Sequence, residues 1–286
     1  MTKANSIVNV SAYYRKLLHT HTQLLTYEER KELRLLLAKF YSANTETSLQ
    51  FGHTLYDKLC IADTLLNEIG LGKAAVLSVL LQDVVESKAI ETERIEALFQ
   101  TNVSGIILGL TRVRELYEKN TSIETENFRK LFLTFAEDIR VILIIIAEHL
   151  QIMRTLDNYD SENRVNVARE SSFLYAPLAH RMGLYAIKTE LEDLSLKHTN
   201  REIFKEIAHK LNETKRSRDK YIHEFITPLK EKLDELGYLF DIKGRTKSIH
   251  SIYNKIKKQN TPFENIYDLF AIRIIFDVPY EKEKAA

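Results

Sequence analysis

The chain has 286 residues, and its 41 lysines and arginines nearly balance its 40 aspartates and glutamates, giving a net charge of +1. This balance excludes a general nucleic-acid binder, in which basic residues are in clear excess, so we expect no direct DNA partner. Only eight glycines and four prolines are present, which excludes collagen-like and low-complexity classes and favours long helices. The single cysteine, Cys60, excludes an internal disulfide and zinc sites built on two or more cysteines.

Apolar residues recur at helical spacing through most of the chain. The predicted helices lie at residues 33–40, 59–69, 74–85, 103–117, 128–136, 139–156, 165–182 and 186–196. Gly70 is expected to end the second of them and Pro177 to kink the seventh. The stretch 139–156 has too many apolar residues for a single helix face, so we expect it in the centre of a helical bundle.

The longest apolar run of the chain, residues 141–147, is far shorter than the roughly 20 residues of a membrane helix. Residues 1–16 also lack the apolar centre of a signal peptide. We therefore expect a cytoplasmic protein without membrane contact.

The pattern changes in the last part of the chain. One long helical stretch is predicted at 202–236, with a kink at Pro228. Alternating residues at 238–243 then predict a strand, which is followed by a helix at 248–258 and a buried strand at 269–276. Two strands and one helix are too few to cover the faces of a sheet, so we expect this mixed α/β domain to be incomplete.

Several long blocks of the chain resemble the RelA/SpoT-homologue family of bacterial enzymes, which make and break the alarmone (p)ppGpp. The segment YAPLAHRMGLYAIKTELED at 175–193 resembles the linking helices of that family. The segments GRTKSIHSIYNK at 244–255 and NIYDLFAIRII at 265–275 resemble the start of its synthetase domain, and NFRK at 127–130 and DIRVIL at 138–143 match further blocks.

The resemblance implies a mainly α fold, in which an HD-hydrolase-like helical bundle precedes the start of an α/β nucleotidyltransferase-like (p)ppGpp synthetase domain. The implied organisation is an N-terminal segment at 1–25, a hydrolase-like domain at 26–199, a connecting helix at 200–236 and the beginning of the synthetase domain at 237–286.

The hydrolase of this family holds Mn²⁺ through a first His, a His-Asp pair and a distant Asp, and a Glu-Asp pair assists the attacking water. The matching positions here are Asp57, Gln82-Asp83, Glu148 and Glu86-Ser87. The nucleotide-contacting Asn falls on Ile152, and the Arg-Lys that meets the guanine falls on Leu49-Gln50. Because the imidazole ligands are missing, the resemblance implies a degenerate hydrolase domain without Mn²⁺ that regulates its neighbour.

Two alternatives stay open for this domain. Asp57, Asp83 and Glu148 still offer oxygen ligands that a hard cation accepts, which would allow a residual metal-dependent 3′-pyrophosphohydrolase. A non-catalytic module that binds (p)ppGpp is the other alternative. His53 and His149 are not expected to be ligands, since His53 has a different helical position and His149 points about 100° away from Glu148.

The synthetase part keeps its functional residues. The resemblance implies that Arg245, Lys247 and Lys255 bind ATP and that Asp268 holds Mg²⁺, with Arg273 a weaker phosphate-binding candidate. Independently of the family, Arg245 and Lys247 are expected at a strand-to-helix turn, where backbone amides favour anions, and Lys255 lies about two turns along the same helix face. The charge pattern alone also fits a solvated basic helix.

The acceptor half of the synthetase site, a Gly-Tyr-x-Ser-x-His segment and a Glu, would lie beyond Ala286. We therefore expect an N-terminal fragment of a protein that transfers pyrophosphate from ATP to the 3′-hydroxyl of GDP or GTP. The family also implies ribosome binding through regions further along the full protein.

Overall fold

The structure, a computed structural model, describes residues 13–15, 17, 24–43, 54–99, 102–119, 138–237 and 239–276. The chain divides into two compact units, residues 1–191 and 192–286. Some sequence predictions lie outside the described residues: His53, Leu49-Gln50, the block at 127–130, the helix at 128–136 and most of the segment at 1–25. The predicted domain boundaries at 199 and 236 stay predictions.

The first unit is helical, as the apolar spacing predicts. Its helices are α1 (Tyr27–Ala43), α2 (Leu55–Thr64), α3 (Lys73–Glu86), α4 (Thr92–Phe99), α5 (Val103–Lys119), α6 (Ile139–Thr155), α7 (Ser161–Glu170), α8 (Ala176–Arg181) and α9 (Tyr185–Thr199), the last of which continues into the second unit. Shorter turns are π-helical at Leu65–Ile69 and Ser171–Tyr175 and 3₁₀ at Leu156–Asn158. Helix α4 is absent from the sequence predictions.

Helix α3 lies at the centre of this unit. Every residue from 75 to 84 is buried, and the helix packs against α1, α2, α5 and α6. Helix α6 is also largely buried, which confirms the prediction for residues 139–156. Polar side chains on such helices need partners inside the protein, because no water is available to satisfy them. Gln82 and Asp83 of α3 are in this position.

Two glycines shape the bundle. Gly70 ends the π-helical turn after α2 with a φ of 81°, a left-handed conformation that glycine adopts without steric cost. Gly109 of α5 lies so close to α6 that a Cβ atom there would be 2.7 Å from Val141 Cγ2. The missing side chain therefore lets the two helices approach each other closely.

The predicted kink at Pro177 takes a specific form. A wide π-helical turn at Ser171–Tyr175 separates α7 from α8, and Pro177 lies in the first turn of α8. Proline has no N–H group and its ring displaces the preceding turn of a helix. The irregularity expected at Pro177 is therefore a local change of helix type.

In the second unit, helices precede a small sheet. The elements are α10 (Arg201–Glu213), α11 (Lys215–Glu235), β1 (Phe240–Thr246), α12 (Ile249–Gln259) and β2 (Phe270–Phe276), with a 3₁₀ turn at Phe263–Asn265. The prediction of one uninterrupted helix was wrong, because the chain leaves the helix at Thr214; Pro228 lies inside α11, and the kink expected there stays a prediction. The Thr214 hydroxyl donates to the carbonyl of Lys210 at 3.0 Å.

The strands β1 and β2 are antiparallel, with Phe240 opposite Phe276 and Thr246 opposite Phe270. The first strand therefore begins and ends later than the predicted 238–243. Helix α12 packs on α10, and α11 packs on β1. The buried core of this unit consists of Ile207, Leu211, Ile252, Phe263 and Ile266.

The strand register brings two functional segments together. Since β1 ends at Thr246 opposite the first residue of β2, the residues just after β1 lie beside those just before β2. The backbone N–H of Lys247 donates to the carbonyl of Leu269 at 2.8 Å. Among the described residues, no helix combines the length and the apolar character needed to cross a membrane.

Candidate functional site

A buried lysine lies among the positions that the hydrolase pattern assigns to metal ligands. Lys58 of α2 is only 1% exposed. Its Nζ atom lies 3.2 Å from Gln82 Oε1, 3.5 Å from Asp83 Oδ1 and 3.9 Å from Glu148 Oε1. An ammonium group thus stands where oxygen atoms from α3 and α6 converge. We call Lys58, Gln82, Asp83 and Glu148 the lysine pocket.

The carboxylates of the lysine pocket are poorly solvated. Asp83 is 6% exposed and Glu148 13%. Burial raises the pKa of both carboxyl groups, and the Lys58 ammonium opposes this effect. The hydroxyl of Tyr41 donates to Asp83 Oδ2 at 3.3 Å. A buried carboxylate needs such partners, because an unmatched charge away from water is strongly destabilising.

Asp57, which matches the first His of the family, has its own partners. Its Oδ2 accepts from the backbone N–H of Thr54 at 2.8 Å and from the Thr54 hydroxyl at 2.7 Å, while its own N–H donates back to Thr54 Oγ1. This is a capping box at the start of α2. The other oxygen, Oδ1, accepts from Gln151 Nε2 at 2.9 Å. The structure therefore brings Asp83 and Glu148 together but directs Asp57 elsewhere.

These residues do not fit the Mn²⁺ ion of the hydrolase pattern. A neutral amide, Gln82, replaces one imidazole, Asp57 is bound at a helix terminus, and the Lys58 ammonium occupies the point between the remaining oxygens. In the described part of the chain, no three His, Cys, Asp or Glu side chains are arranged to hold a metal.

Glu86, the position that would assist the attacking water, is also engaged. Arg114 Nη1 lies 2.5 Å from its Oε2, and the Thr111 hydroxyl donates to its Oε1 at 3.0 Å. The Gln82 amide connects Lys58 to Glu86: its Oε1 accepts a hydrogen bond from Lys58, and its Nε2 donates one to Glu86 at 3.3 Å. The hydroxyl of Ser87, which replaces the second acidic residue, donates to the carbonyl of Val84.

A separate buried group surrounds His149. The His149 ring stacks on Tyr175 with the ring centroids 3.6 Å apart and the planes 8° apart. Burial raises the pKa of Glu170 to about 7, although a hydrogen bond from Tyr175 opposes the shift. Glu170 therefore titrates near neutral pH in the folded protein.

The raised pKa of Glu170 predicts a pH-dependent stability. Between the ordinary glutamate pKa and about 7, the folded state binds the extra proton, so this group makes folding less favourable as pH rises. We expect Glu170→Gln to raise the stability of this unit by up to about 3 kcal/mol at pH 8 and to lose the gain toward pH 4.5. Hydrogen exchange of α7 amides measures this, with exposed Glu162→Gln on the same helix as control. A difference that does not change with pH would contradict the assignment.

In the second unit, the predicted synthetase residues converge on one carboxylate. Lys247 Nζ lies 2.6 Å from Asp268 Oδ2, and Lys255 Nζ lies 2.5 Å from Asp268 Oδ1. Hydrogen bonds from these two lysines lower the pKa of Asp268 to about 2. All three side chains keep contact with solvent, so a ligand from solution can reach them.

The remaining candidates lie on the strands. Arg245 is in β1 opposite Ala271, and its side chain is outside the described residues. Arg273 is exposed on β2 opposite Lys243, a pairing of like charges.

The expected role of the α12 amides needs correction. The backbone N–H of Ser251 donates to Ser248 Oγ at 3.2 Å, and that of His250 donates to Asp193 Oδ1 at 2.8 Å. Asp193 also accepts from the N–H of Ile249. Intramolecular oxygens therefore satisfy the first amides of this helix, and an anion here would be bound by the lysine side chains.

Lys58 and Asp193 are absent from the sequence-based site predictions. A signal for Lys58 exists in the sequence: it lies on the apolar stripe of α2, in helical spacing with Leu55, Ala62 and Leu65. A lysine on such a stripe is rarely buried unless a charged partner meets it.

The sequence was also compared with known proteins. A family model described as "HD domain" matches residues 35–185, and one described as "Region found in RelA / SpoT proteins" matches residues 244–286. The GTP pyrophosphokinase of Myxococcus xanthus is 38% identical over 216 residues, which cover 74% of this chain and 28% of that protein. A probable guanosine-3′,5′-bis(diphosphate) 3′-pyrophosphohydrolase of Synechocystis is 37% identical over 215 residues, with the same coverage.

The bifunctional (p)ppGpp synthase/hydrolase SpoT of Escherichia coli K12 is 32% identical over 212 residues, which cover 74% of this chain and 30% of that protein. The matched part of the chain spans less than a third of the length of each of these relatives. The HD-domain match covers more than half of the chain, the RelA/SpoT region follows it in the expected order, and the fold is the expected helical bundle. The chain belongs to the RelA/SpoT family.

Proposed function

We propose that the chain is the N-terminal part of a (p)ppGpp synthetase whose hydrolase-type unit is inactive and regulates the synthetase. The proposed reaction transfers the terminal pyrophosphoryl group of ATP to the 3′-hydroxyl of GDP or GTP. The new bond forms at the 3′-oxygen, and the bond to the α-phosphate breaks to release AMP. Relatives of the chain carry the names of both a synthetase and a hydrolase, so the choice between the two depends on the sites.

The observation that carries the proposal is the lysine pocket. A hydrolase of this type needs an open metal position where bound water loses a proton near neutral pH. Here the Lys58 ammonium takes that position, Gln82 replaces an imidazole, and Arg114 binds the carboxylate that would assist water. None of these groups generates a hydroxide, which supports an inactive unit.

The second unit supports the transferase side. Lys247 and Lys255 present two positive charges to one point, which suits the polyphosphate of ATP. Asp268 would hold Mg²⁺, which when bound neutralises charge on the phosphate oxygens. In the present arrangement the two lysines share the one carboxylate of Asp268, which leaves one positive charge unbalanced. Binding of ATP with Mg²⁺ would therefore exchange lysine–carboxylate contacts for lysine–phosphate contacts.

The test uses two assays on the full-length protein. Incubation with ATP, Mg²⁺ and either GDP or GTP is expected to yield a guanosine 3′-pyrophosphate and AMP. Incubation with ppGpp and Mn²⁺ is expected to release no pyrophosphate, with the bifunctional Escherichia coli relative as positive control. Absence of product in the first assay would overturn the synthetase assignment, whereas Mn²⁺-dependent release in the second would show a residual hydrolase.

A third measurement separates the remaining alternative. Equilibrium binding of labelled ppGpp to the 286-residue chain is expected to be weak, because the lysine pocket is buried and already occupied by Lys58. Tight binding without turnover in either assay would identify a (p)ppGpp-binding module instead.

A further inference from the structure

We propose that Lys58 is the resident cation of the hydrolase-type unit, an intramolecular replacement for the divalent ion that frees this unit from any need for metal. The inference rests on the inactive-hydrolase part of the proposed function and extends it to how the unit holds itself together. It concerns the lysine pocket alone and is independent of the synthetase reaction.

The geometry of the lysine pocket resembles that of a coordinated cation. Nζ of Lys58 donates a hydrogen bond to Gln82 Oε1 at 3.2 Å, and it lies at ion-pair distance from Asp83 Oδ1 (3.5 Å) and Glu148 Oε1 (3.9 Å). The lysine itself comes from a third helix, α2. One positive charge thus joins α2, α3 and α6 at the centre of the bundle, the task that a metal ion performs in a metal-dependent helical site.

The charge balance points the same way. Glu86 pairs with Arg114, whose charge also acts on Glu148, and Lys58 is the cation within ion-pair distance of both Asp83 and Glu148. The hydroxyl of Tyr41, from α1, adds a neutral donor to Asp83. Without Lys58, two buried carboxylates and the Gln82 carbonyl oxygen would face one another, and these are ligands that hard divalent ions accept.

This assignment differs from a simple packing role for the lysine stem. If Lys58 only filled space, an apolar side chain of similar volume would replace it without consequence for metal binding. If its charge is what matters, removing the ammonium uncovers a cation site in the pocket. The two possibilities therefore differ in Mn²⁺ affinity.

The experiment measures Mn²⁺ binding to the 286-residue chain by the loss of the free-ion EPR signal, together with thermal unfolding. The wild-type chain is expected to bind no Mn²⁺ at the pocket and to show no Mn²⁺-dependent stabilisation. Lys58→Ala is expected to bind Mn²⁺ at least about tenfold more tightly, since a nearby positive charge is removed, and to melt at a higher temperature with Mn²⁺. Adding Asp83→Asn to Lys58→Ala should abolish both effects.

Lys73→Ala is the matched control, because it removes the partner of Glu29 in a more exposed ion pair and should create no Mn²⁺ site. Wild-type chain that binds Mn²⁺ as tightly as Lys58→Ala would overturn the proposal. So would a Lys58→Ala chain that keeps wild-type stability and binds no Mn²⁺.

A second variant decides the case if Lys58→Ala does not fold. Lys58→Met fills the volume of the lysine side chain but leaves Glu148 without the Lys58 charge. The double variant K58M/E148Q also removes the charge of Glu148. We therefore expect the double variant to melt at a higher temperature than K58M. A double variant no more stable than K58M would contradict a charge-based role. Mn²⁺ binding by wild type without hydrolysis would refute this inference only, whereas hydrolysis would refute the proposed function as well.

Discussion

Replacement of Lys58 by methionine is expected to lower the free energy of opening of α3 by about 3–5 kcal/mol, the usual cost of removing one partner of a buried ion pair. The methionine fills most of the volume, so the loss comes from Asp83 and Glu148 rather than from a cavity. Hydrogen exchange of the α3 amides measures this effect within the first unit, independently of how the second unit unfolds.

The control for this prediction is Lys73→Met at the beginning of α3, the helix whose amides are measured. Lys73 is 30% exposed and pairs with Glu29. An ion pair that reaches solvent contributes at most about 1 kcal/mol to stability, so the free energy of opening of α3 in this variant should be close to the wild-type value. Equal effects of the two methionine variants would mean that burial of the Lys58 charge has no special importance.

Asp268→Asn in the full-length protein is expected to reduce pyrophosphate transfer by at least about 100-fold, the scale for loss of a group that stabilises transition-state charge. Asparagine keeps the size of the side chain but removes the negative charge that would hold Mg²⁺. The folded second unit should persist, because Asp268 and its two lysines form exposed ion pairs of small energetic weight.

Glu264→Gln provides the control for this second prediction. Glu264 lies four residues before Asp268 and also pairs with a lysine, Lys210, at 2.9 Å. We expect the activity of this variant to be unchanged. Retained activity in Asp268→Asn, with product formation per enzyme as the measure, would remove Asp268 from the metal site.

Much of the fold was predictable because apolar spacing and helix termini are local properties. A glycine at the end of an apolar stripe and a serine at the start of one are recognisable in the sequence. In the structure, Gly70 ends a helical segment and Ser248 caps the N-terminus of α12. Helix α4 has only eight residues, so its apolar positions Ile95, Leu98 and Phe99 fill little more than one turn and were not recognised as a helix. The break at Thr214 falls in a polar stretch without an apolar stripe, so helical periodicity does not report it.

The candidate sites were predictable as positions but not as contacts. Alignment to a family pattern identifies Asp57, yet a carboxylate three residues after Thr54 also forms a capping box, and the structure shows that it does. The convergence of Lys247 and Lys255 on Asp268 depends on the antiparallel register of β1 and β2, which joins segments about 20 residues apart. The burial of Lys58 follows from how three helices meet.

Under the proposed function, the buried ammonium of Lys58 makes metal-dependent hydrolysis hard to acquire by substitution. Introducing imidazoles through Asp57→His and Gln82→His would place new ligands against a fixed positive charge and would remove the carboxylate half of the capping box at the start of α2. The substitution at position 58 would have to come first, while the carboxylates still lack another counterion. A lineage in which this unit gained hydrolysis would therefore pass through an unstable intermediate that lacks the Lys58 charge and has no metal in its place.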